Sequence, residues 1–506
     1  MPDMSLKRNV AANYIGQIYL AVIGLVMVPV YVSYLGAEAY GLVGFFTMLQ
    51  AWFLLLDLGL TPTLARELAR FRAGALDRIQ VAKMVRALEY FFGGLGAVCA
   101  LSVGLAAGWI AQYWLSAQHL PQGELRRSVL CMGTMIGLRG WIGLYRSGLA
   151  GLERIVALNV AGMGVATLRS VGALAVLIFW STRPSVFFAY QVAMTALELG
   201  VMGGLFYRAF PLREAGLAPS WRSLQSILGL SGSMAFLAGI WVVFSQTDKL
   251  VLSWALGLRD YGFFIVVTTL AGAISLLAAP ISQALQPRFS LLAAQHRHDE
   301  LVVLYRTSTQ FTCAIVFALA GALACFAEPV LWAWTGNAEL AREAARLLPL
   351  YAFGNVVVAL LSLAFLVQFA YGKIRWQVIG NCIFGAVWIP GAYLAASRAG
   401  AVGTGWVWLI GNLAFLLFWL PYVHHRLLPG MWVRWLFRDV GLVILIVTAG
   451  LAAATRVDLT GASRLGVFGA VALITLLLAL AGLCAGSETR RLLLDHCRRY
   501  VLVKAS

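Results

Sequence analysis

Charged side chains are scarce in this sequence. They make up 12% of its 506 residues, against 61% hydrophobic, where a soluble domain carries about a quarter. That shortage excludes an ordinary water-exposed globular surface. Strict alternation of polar and apolar residues is missing too. A membrane β-barrel is thereby excluded, and helices are left to satisfy the backbone in lipid. Cysteine numbers seven and histidine six. Cys99, Cys131, Cys313, Cys325, Cys382 and Cys484 fall inside apolar runs and Cys497 in a basic tail. With no CxxC or His-linked spacing, neither a disulfide framework nor a metal site is supported. A nucleotide-binding loop, a His-rich cluster and a nucleophile motif are all lacking, which argues against ATP hydrolysis, catalytic residues and any cofactor.

What the sequence has is a succession of apolar runs, each about 20 residues long and able to span a bilayer as a helix. They predict an all-α polytopic membrane protein with about fourteen transmembrane helices. These run roughly over 10–33, 40–64, 86–113, 127–150, 155–179, 184–207, 226–253, 261–285, 302–326, 346–370, 374–396, 403–421, 437–454 and 465–485. Lys7 and Arg8 precede the first run, which contains Pro29 and is too long for a signal-peptide core, so it reads as the first membrane helix. The net charge of +17 would suggest nucleic acid on a soluble protein. Here Lys and Arg concentrate on alternate loops, which predicts cytoplasmic termini and an even helix number rather than a nucleic-acid partner. The longest outer loops, 113–127 and 326–346, leave no room for a soluble domain, and basic linkers fall at 208–225 and 422–436.

The sequence also repeats itself. LGAEAYG at 35–41 returns as LGLRDYG at 256–262, each between the first and second helix of its half and each followed, one helix later, by a basic loop. The offset predicts two pseudo-symmetric six-helix bundles, residues 1–212 and 213–428. Residues 429–506 then hold two extra helices and a basic tail with Arg490, Arg491, Arg498 and Arg499. In transporters built from repeats, the substrate site is expected where the repeats meet.

Ionisable residues inside membrane spans are costly and point to function by default. They are Asp57, Arg139, Arg169, Glu198, Asp248 and Lys249. Arg169 and Glu198, both near their span centres, either pair structurally or serve a site. Asp248 and Lys249 are adjacent, about 100° apart around a helix, and are not expected to satisfy each other. Either Lys249 snorkels while Asp248 bonds locally, or the two face a water-filled cavity. Asn9, Asn13 and Gln17 recur every four residues, as do Gln377 and Asn381. Such polar faces glue helices together or line a cavity. The glycine-rich stretches 133–137 and 200–204 read as close helix packing. Pro29 should bend or break the first helix. Set against the charged pair at the equivalent depth of the seventh helix, it reads as a hinge.

The opening NYIGQIYLAVIGLVMVPVYVSYLGAEAYGLVGFFTMLQAWFLLLDLGLTPTLARELARFRAG, with its late Pro, LG and YG pairs, DLG and basic ARELAR loop, resembles the bacterial polysaccharide biosynthesis proteins. These are the O-antigen-type oligosaccharide flippases of the multidrug/oligosaccharidyl-lipid/polysaccharide exporter superfamily. LYRSGLAGLERIVALNV and TDKLVLSWALGLRDYGFF, with PISQALQPRFSLLAAQ beyond, extend the resemblance over about 8–420. It implies a multi-pass protein of the bacterial inner membrane that moves undecaprenyl-diphosphate-linked glycan units outward for cell-surface polysaccharides such as lipopolysaccharide or exopolysaccharide. Arg139, Arg169 and Lys249 would then face a cationic cavity and bind the diphosphate. Asp57, Glu198 and Asp248 would orient those cations or carry coupling H+ or Na+, and Asn13, Gln17, Gln377 and Asn381 would line the cavity. Polysaccharide assembly proteins would be partners. The rivals are a drug/cation antiporter of the same superfamily, a polysaccharide polymerase or ligase, and the peptidoglycan-precursor flippase.

Overall fold

The computed structural model describes residues 2–211, 221–459 and 461–491. The expected bundle boundary at 212/213, Arg498 and Arg499 lie outside these. The described residues are almost wholly helical, and their only bridge of β type is the isolated pair Ser116–Gly257. The helices are α1 (Pro2–Phe53), α2 (Leu60–Arg72), α3 (Arg78–Trp109), α4 (Gln122–Gly151), α5 (Ile155–Phe179), α6 (Pro184–Ala209), α7 (Trp221–Ala255), α8 (Leu258–Ala294) and α9 (His298–Cys325). They continue with α10 (Ala327–Thr335), α11 (Ala338–Ala344), α12 (Leu348–Ala370), α13 (Ile374–Ala414), α14 (Leu420–Leu427), α15 (Met431–Arg434), α16 (Leu442–Ala454) and α17 (Arg464–Ala485).

Among the described residues, 10 helical segments are long and apolar enough to cross a membrane, fewer than the fourteen expected. Two of those ten, Ala11–Asp57 and Ile374–Leu427, are 47 and 54 residues long. Each turns at a glycine with backbone angles closed to other residues, Gly36 (φ 80°, ψ 164°) and Gly400 (φ 56°, ψ −139°). The chain keeps helical angles through Pro29 and leaves them only at Gly36, so the break expected at the proline falls seven residues later. The expected helix 40–64 is also interrupted. Leu54–Asp57 form a tight 3-10 turn, and Leu58 and Gly59 adopt left-handed angles before α2 begins. The DLG tripeptide is that break.

Outward-facing side chains show which solvent these helices meet. Leu105 and Phe179 are each 86% exposed and Leu465 83%. Such surface is stable against acyl chains, whereas in water it would aggregate.

The chain divides into two compact units, Met1–Gly262 and Phe263–Ser506. The first unit packs α2, α3, α4 and α6 around Leu64, Val85, Leu88, Phe92, Leu144 and Phe206. α3 and α4 touch backbone to backbone where Gly96 meets Gly137; a Cβ on Gly137 would lie 2.7 Å from the Gly96 carbonyl oxygen. This is the close approach that small residues allow between membrane helices.

Both copies of the heptapeptide lie in the first unit and pack on one another reciprocally. A Cβ on Gly41, the last residue of the first copy, would stand 2.3 Å from the carbonyl oxygen of Leu258. A Cβ on Gly262, the last residue of the second, would stand 2.1 Å from that of Ala37. Position seven of each copy therefore faces position three of the other. The loop after α3 fastens both copies. Glu38 accepts hydrogen bonds from the backbone N–H groups of Gln118 (2.5 Å) and His119 (3.1 Å), and the Leu258 N–H donates to the Ser116 carbonyl (2.8 Å).

In the second unit, α9 packs against α12, α16 and α17. A buried polar network holds the C-terminal helices to it. Arg306 donates to both carboxylate oxygens of Asp439 at 2.9 Å and pairs with Glu488. Gln310 donates to Asp439 (2.6 Å) and accepts from the backbone N–H groups of Glu488 (2.9 Å) and Thr489 (3.2 Å). The stretch 429–506 is thus partly built into the unit's core.

Candidate functional site

The first unit encloses a cavity of about 580 Å³ lined from α1 to α6. Four of the ionisable residues singled out in the sequence line it: Asp57, Arg139, Arg169 and Glu198. A fifth, Arg146, was not among them.

Local structure explains how each arrives. Arg139 and Arg146 are seven residues apart on α4, two turns, which keeps them within about 20° of one face. Gly140 and Gly143 lie on the same wall; a Cβ on Gly140 would stand 2.9 Å from the Phe92 ring, so the glycine lets α3 and α4 approach there. Arg169 comes from the middle of α5 and Glu198 from the middle of α6. Asp57 ends the 3-10 turn at the DLG break and accepts a hydrogen bond from the Thr61 hydroxyl (3.0 Å). The helix break thus aims a carboxylate into a space that a continuous helix would have filled.

Glu198 is the centre of the cluster. One oxygen lies 2.6 Å from Arg169 Nη2 and the other 3.3 Å from Arg146 Nη1. The structural pairing of Arg169 with Glu198 is therefore present, and Arg146 joins it. The Glu198 side chain is 7% exposed, against 37% for Arg146 and 20% for Arg169. Arg139 enters neither pair, and its buried Nε finds no hydrogen-bond partner among the described residues. It stands within electrostatic reach of Arg169, Glu198 and Arg146. By formal charge, three guanidinium groups and two carboxylates line the cavity, an excess of one positive charge, and Arg139 is the guanidinium outside the Glu198 pairs.

The remaining candidates lie elsewhere. Asp248 and Lys249 do not line this cavity. Contrary to the expectation from their angular separation, they do contact each other. The Lys249 ammonium reaches back one turn to donate to the Ser245 carbonyl (2.8 Å) and rests 3.3 Å from Asp248 Oδ1. Four methylenes are long enough to bridge the 100° between neighbouring Cβ atoms. Asp248 also accepts its neighbour's backbone N–H (2.8 Å) and is buried. Asn13 is half-buried and Gln17 exposed, and neither lines the cavity. In the second unit, Gln377 accepts from Gln368 of α12 (2.9 Å) and donates to Asn381 (3.2 Å), a ladder that joins α12 to α13.

Residues 6–293 match the family described as polysaccharide biosynthesis protein. No curated protein matches the chain. Among solved structures, the lipid II flippase MurJ in an inward closed conformation superposes with a TM-score of 0.69 at 11% identity, covering 94% of this chain and 98% of that one. An inward-facing MATE-family multidrug resistance transporter of the MOP superfamily gives 0.66 at 16% identity, over 81% and 94%. A MOP superfamily transporter from Pyrococcus furiosus, whose binding pocket is described as having reverse polarity, gives 0.56 at 18% identity, over 84% and 96%. At these identities the likeness is one of fold: the helices of this chain are arranged as in those transporters.

Proposed function

The chain belongs to the polysaccharide biosynthesis protein family, and from that premise we propose that it is a flippase for lipid-linked oligosaccharides. It would carry undecaprenyl-diphosphate-linked glycan units across the bacterial inner membrane for cell-surface polysaccharide synthesis. Both termini would be cytoplasmic, and transport would proceed by alternating access coupled to H+ or Na+. The observation that carries this reading is the cavity with Arg139, Arg146 and Arg169. Guanidinium groups match the paired oxygens of a phosphate and offset its desolvation. The excess positive charge favours an anionic head group over the cation of a drug antiporter. Energetics agree in sign. A diphosphate carries about two negative charges, and each gains about 2.3 kcal/mol per 100 mV on moving outward across an inside-negative membrane. Asp57 and Glu198 would orient the arginines or carry the coupling ion. Proteins that make or assemble the polysaccharide would be partners.

The test is an inventory of lipid-linked oligosaccharides, by mass spectrometry, in cells with the protein, without it, and with Arg139→Ala. Accumulation of an intact diphosphate-linked repeat unit on the cytoplasmic side in the last two is expected. If single units reach the outer leaflet normally and only long chains are missing, the flippase reading fails in favour of a polymerase, a ligase or an assembly partner.

A further inference from the structure

We infer that Glu198 and the anion are rival ligands for the same guanidinium groups, so that binding proceeds by exchange of a carboxylate for a phosphate. The inference rests on the flippase reading for the identity of the anion, and on the geometry for the exchange. Glu198 presents two oxygens to two different arginines, at 2.6 and 3.3 Å. A phosphate presents the same pattern of paired acceptor oxygens to the same N–H groups. Were Glu198 present only to orient a cation, one arginine would be enough. The site instead has a third, Arg139, whose buried Nε has no acceptor, and Arg169 likewise keeps an unpartnered buried Nε. A half-buried guanidinium whose buried Nε has no acceptor is costly. Its presence beside a saturated carboxylate marks where a second anion lands. Arg139 is the landing point; Arg169 and Arg146 are then released to the phosphate as Glu198 lets go.

Exchange also explains how an anion could leave. Three free guanidinium groups would hold a diphosphate too tightly for turnover. A carboxylate that re-forms both pairs as the phosphate departs lowers that barrier, because Arg146 and Arg169 are never left bare. Glu198 is then a positioning and competing residue, not a catalytic one.

The test is calorimetric titration of the purified full chain in detergent with inorganic pyrophosphate, which has the diphosphate chemistry without lipid or glycan. Glu198→Gln should bind about tenfold tighter than the unaltered chain and Arg139→Gln about tenfold weaker, the ratio one charge-assisted hydrogen bond supplies. Glu198→Asp keeps the charge but is too short to reach both arginines, and should tighten binding about threefold, a part of that ratio. It carries the test should Glu198→Gln not fold. Equal or weaker binding in the Glu198 variants, unchanged binding in Arg139→Gln, or no binding by any of them overturns the exchange. Tightening in Glu198→Gln, together with a normal lipid-linked inventory in cells lacking the protein, keeps the exchange and rejects the flippase. An altered inventory without tightening does the reverse.

Discussion

Replacing Gly41 or Gly262 by alanine adds a methyl where the two heptapeptide copies touch. In both cases the obstacle is a backbone carbonyl, 2.3 Å from the Cβ of residue 41 and 2.1 Å from that of residue 262. A carbon meets a carbonyl oxygen at about 3.3 Å or more, so the copies must separate by about 1 Å. No rotamer change relieves the clash, since the nearest obstacle in each case is a backbone carbonyl, with the Leu258 side chain adding to it at residue 41. Overpacking of this kind costs about 1–3 kcal/mol, and the rigid obstacle puts the cost at the upper end. Against it stands the gain of alanine over glycine in a helix, at most about 1 kcal/mol. The net expectation is a loss of about 2 kcal/mol for either variant, or about 4–8 °C in melting temperature for a unit of this size.

The assay is thermal unfolding of the purified protein in detergent, with Gly94→Ala as the reference. Gly94 is on α3, and its added methyl meets nothing within 4 Å, so that variant should melt no lower than the unaltered protein. The reciprocity of the contact supplies a sharper test. Once the copies have parted for one methyl, much of the room for the second already exists. The Gly41→Ala/Gly262→Ala double variant should therefore lose less than the two singles added together, by about 1 kcal/mol. If both singles melt like Gly94→Ala, or if their losses simply add, the reciprocal contact is not what holds these turns.

Three other perturbations follow from the packing. Arg306→Met leaves Asp439, 0% exposed, without its two guanidinium bonds and should cost about 3–5 kcal/mol; Arg306→Met with Asp439→Leu should recover most of it, read as the melting temperature of each. Lys249→Met removes a partly exposed partner from buried Asp248, for a loss of about 1–2 kcal/mol, and adding Asp248→Asn should restore stability; a loss of export without any loss of stability would instead put this pair in the transport path. Gly36→Ala has open space around its methyl but unfavourable backbone angles, so it should lose about 1–3 kcal/mol from strain alone, and hydrogen exchange should rise locally in the turn.

How far each feature could be read from the chain depends on how far apart its parts lie in sequence. The membrane helices were legible because a run of apolar residues is self-contained. Their breaks at Gly36, Asp57–Gly59 and Gly400 were harder, since each lies inside or at the edge of an apolar run and only the backbone angles reveal it. Four of the cavity's charged residues were legible as costly residues in lipid. Arg146 was missed because it lies in the last turns of α4, where an arginine reads as one more basic residue facing the cytoplasm; its seven-residue spacing from Arg139 was the available signal. The pairing of Arg169 with Glu198 could be guessed across one helical hairpin. That of Arg306 with Asp439, 133 residues away, could not, because the sequence between them fixes no approach of α9 to the helices after α15. A charged residue in an apolar span shows that something must satisfy it. For Arg306 the geometry gives that partner as a neighbouring helix, and for Arg139 it leaves a guanidinium on a cavity wall, the arrangement from which the ligand reading is proposed. Arg139 is therefore the strongest pointer to the site: among the described residues, Asp57, Arg169, Glu198, Asp248 and Lys249 each have a partner within the fold, and Arg139 enters no such pair.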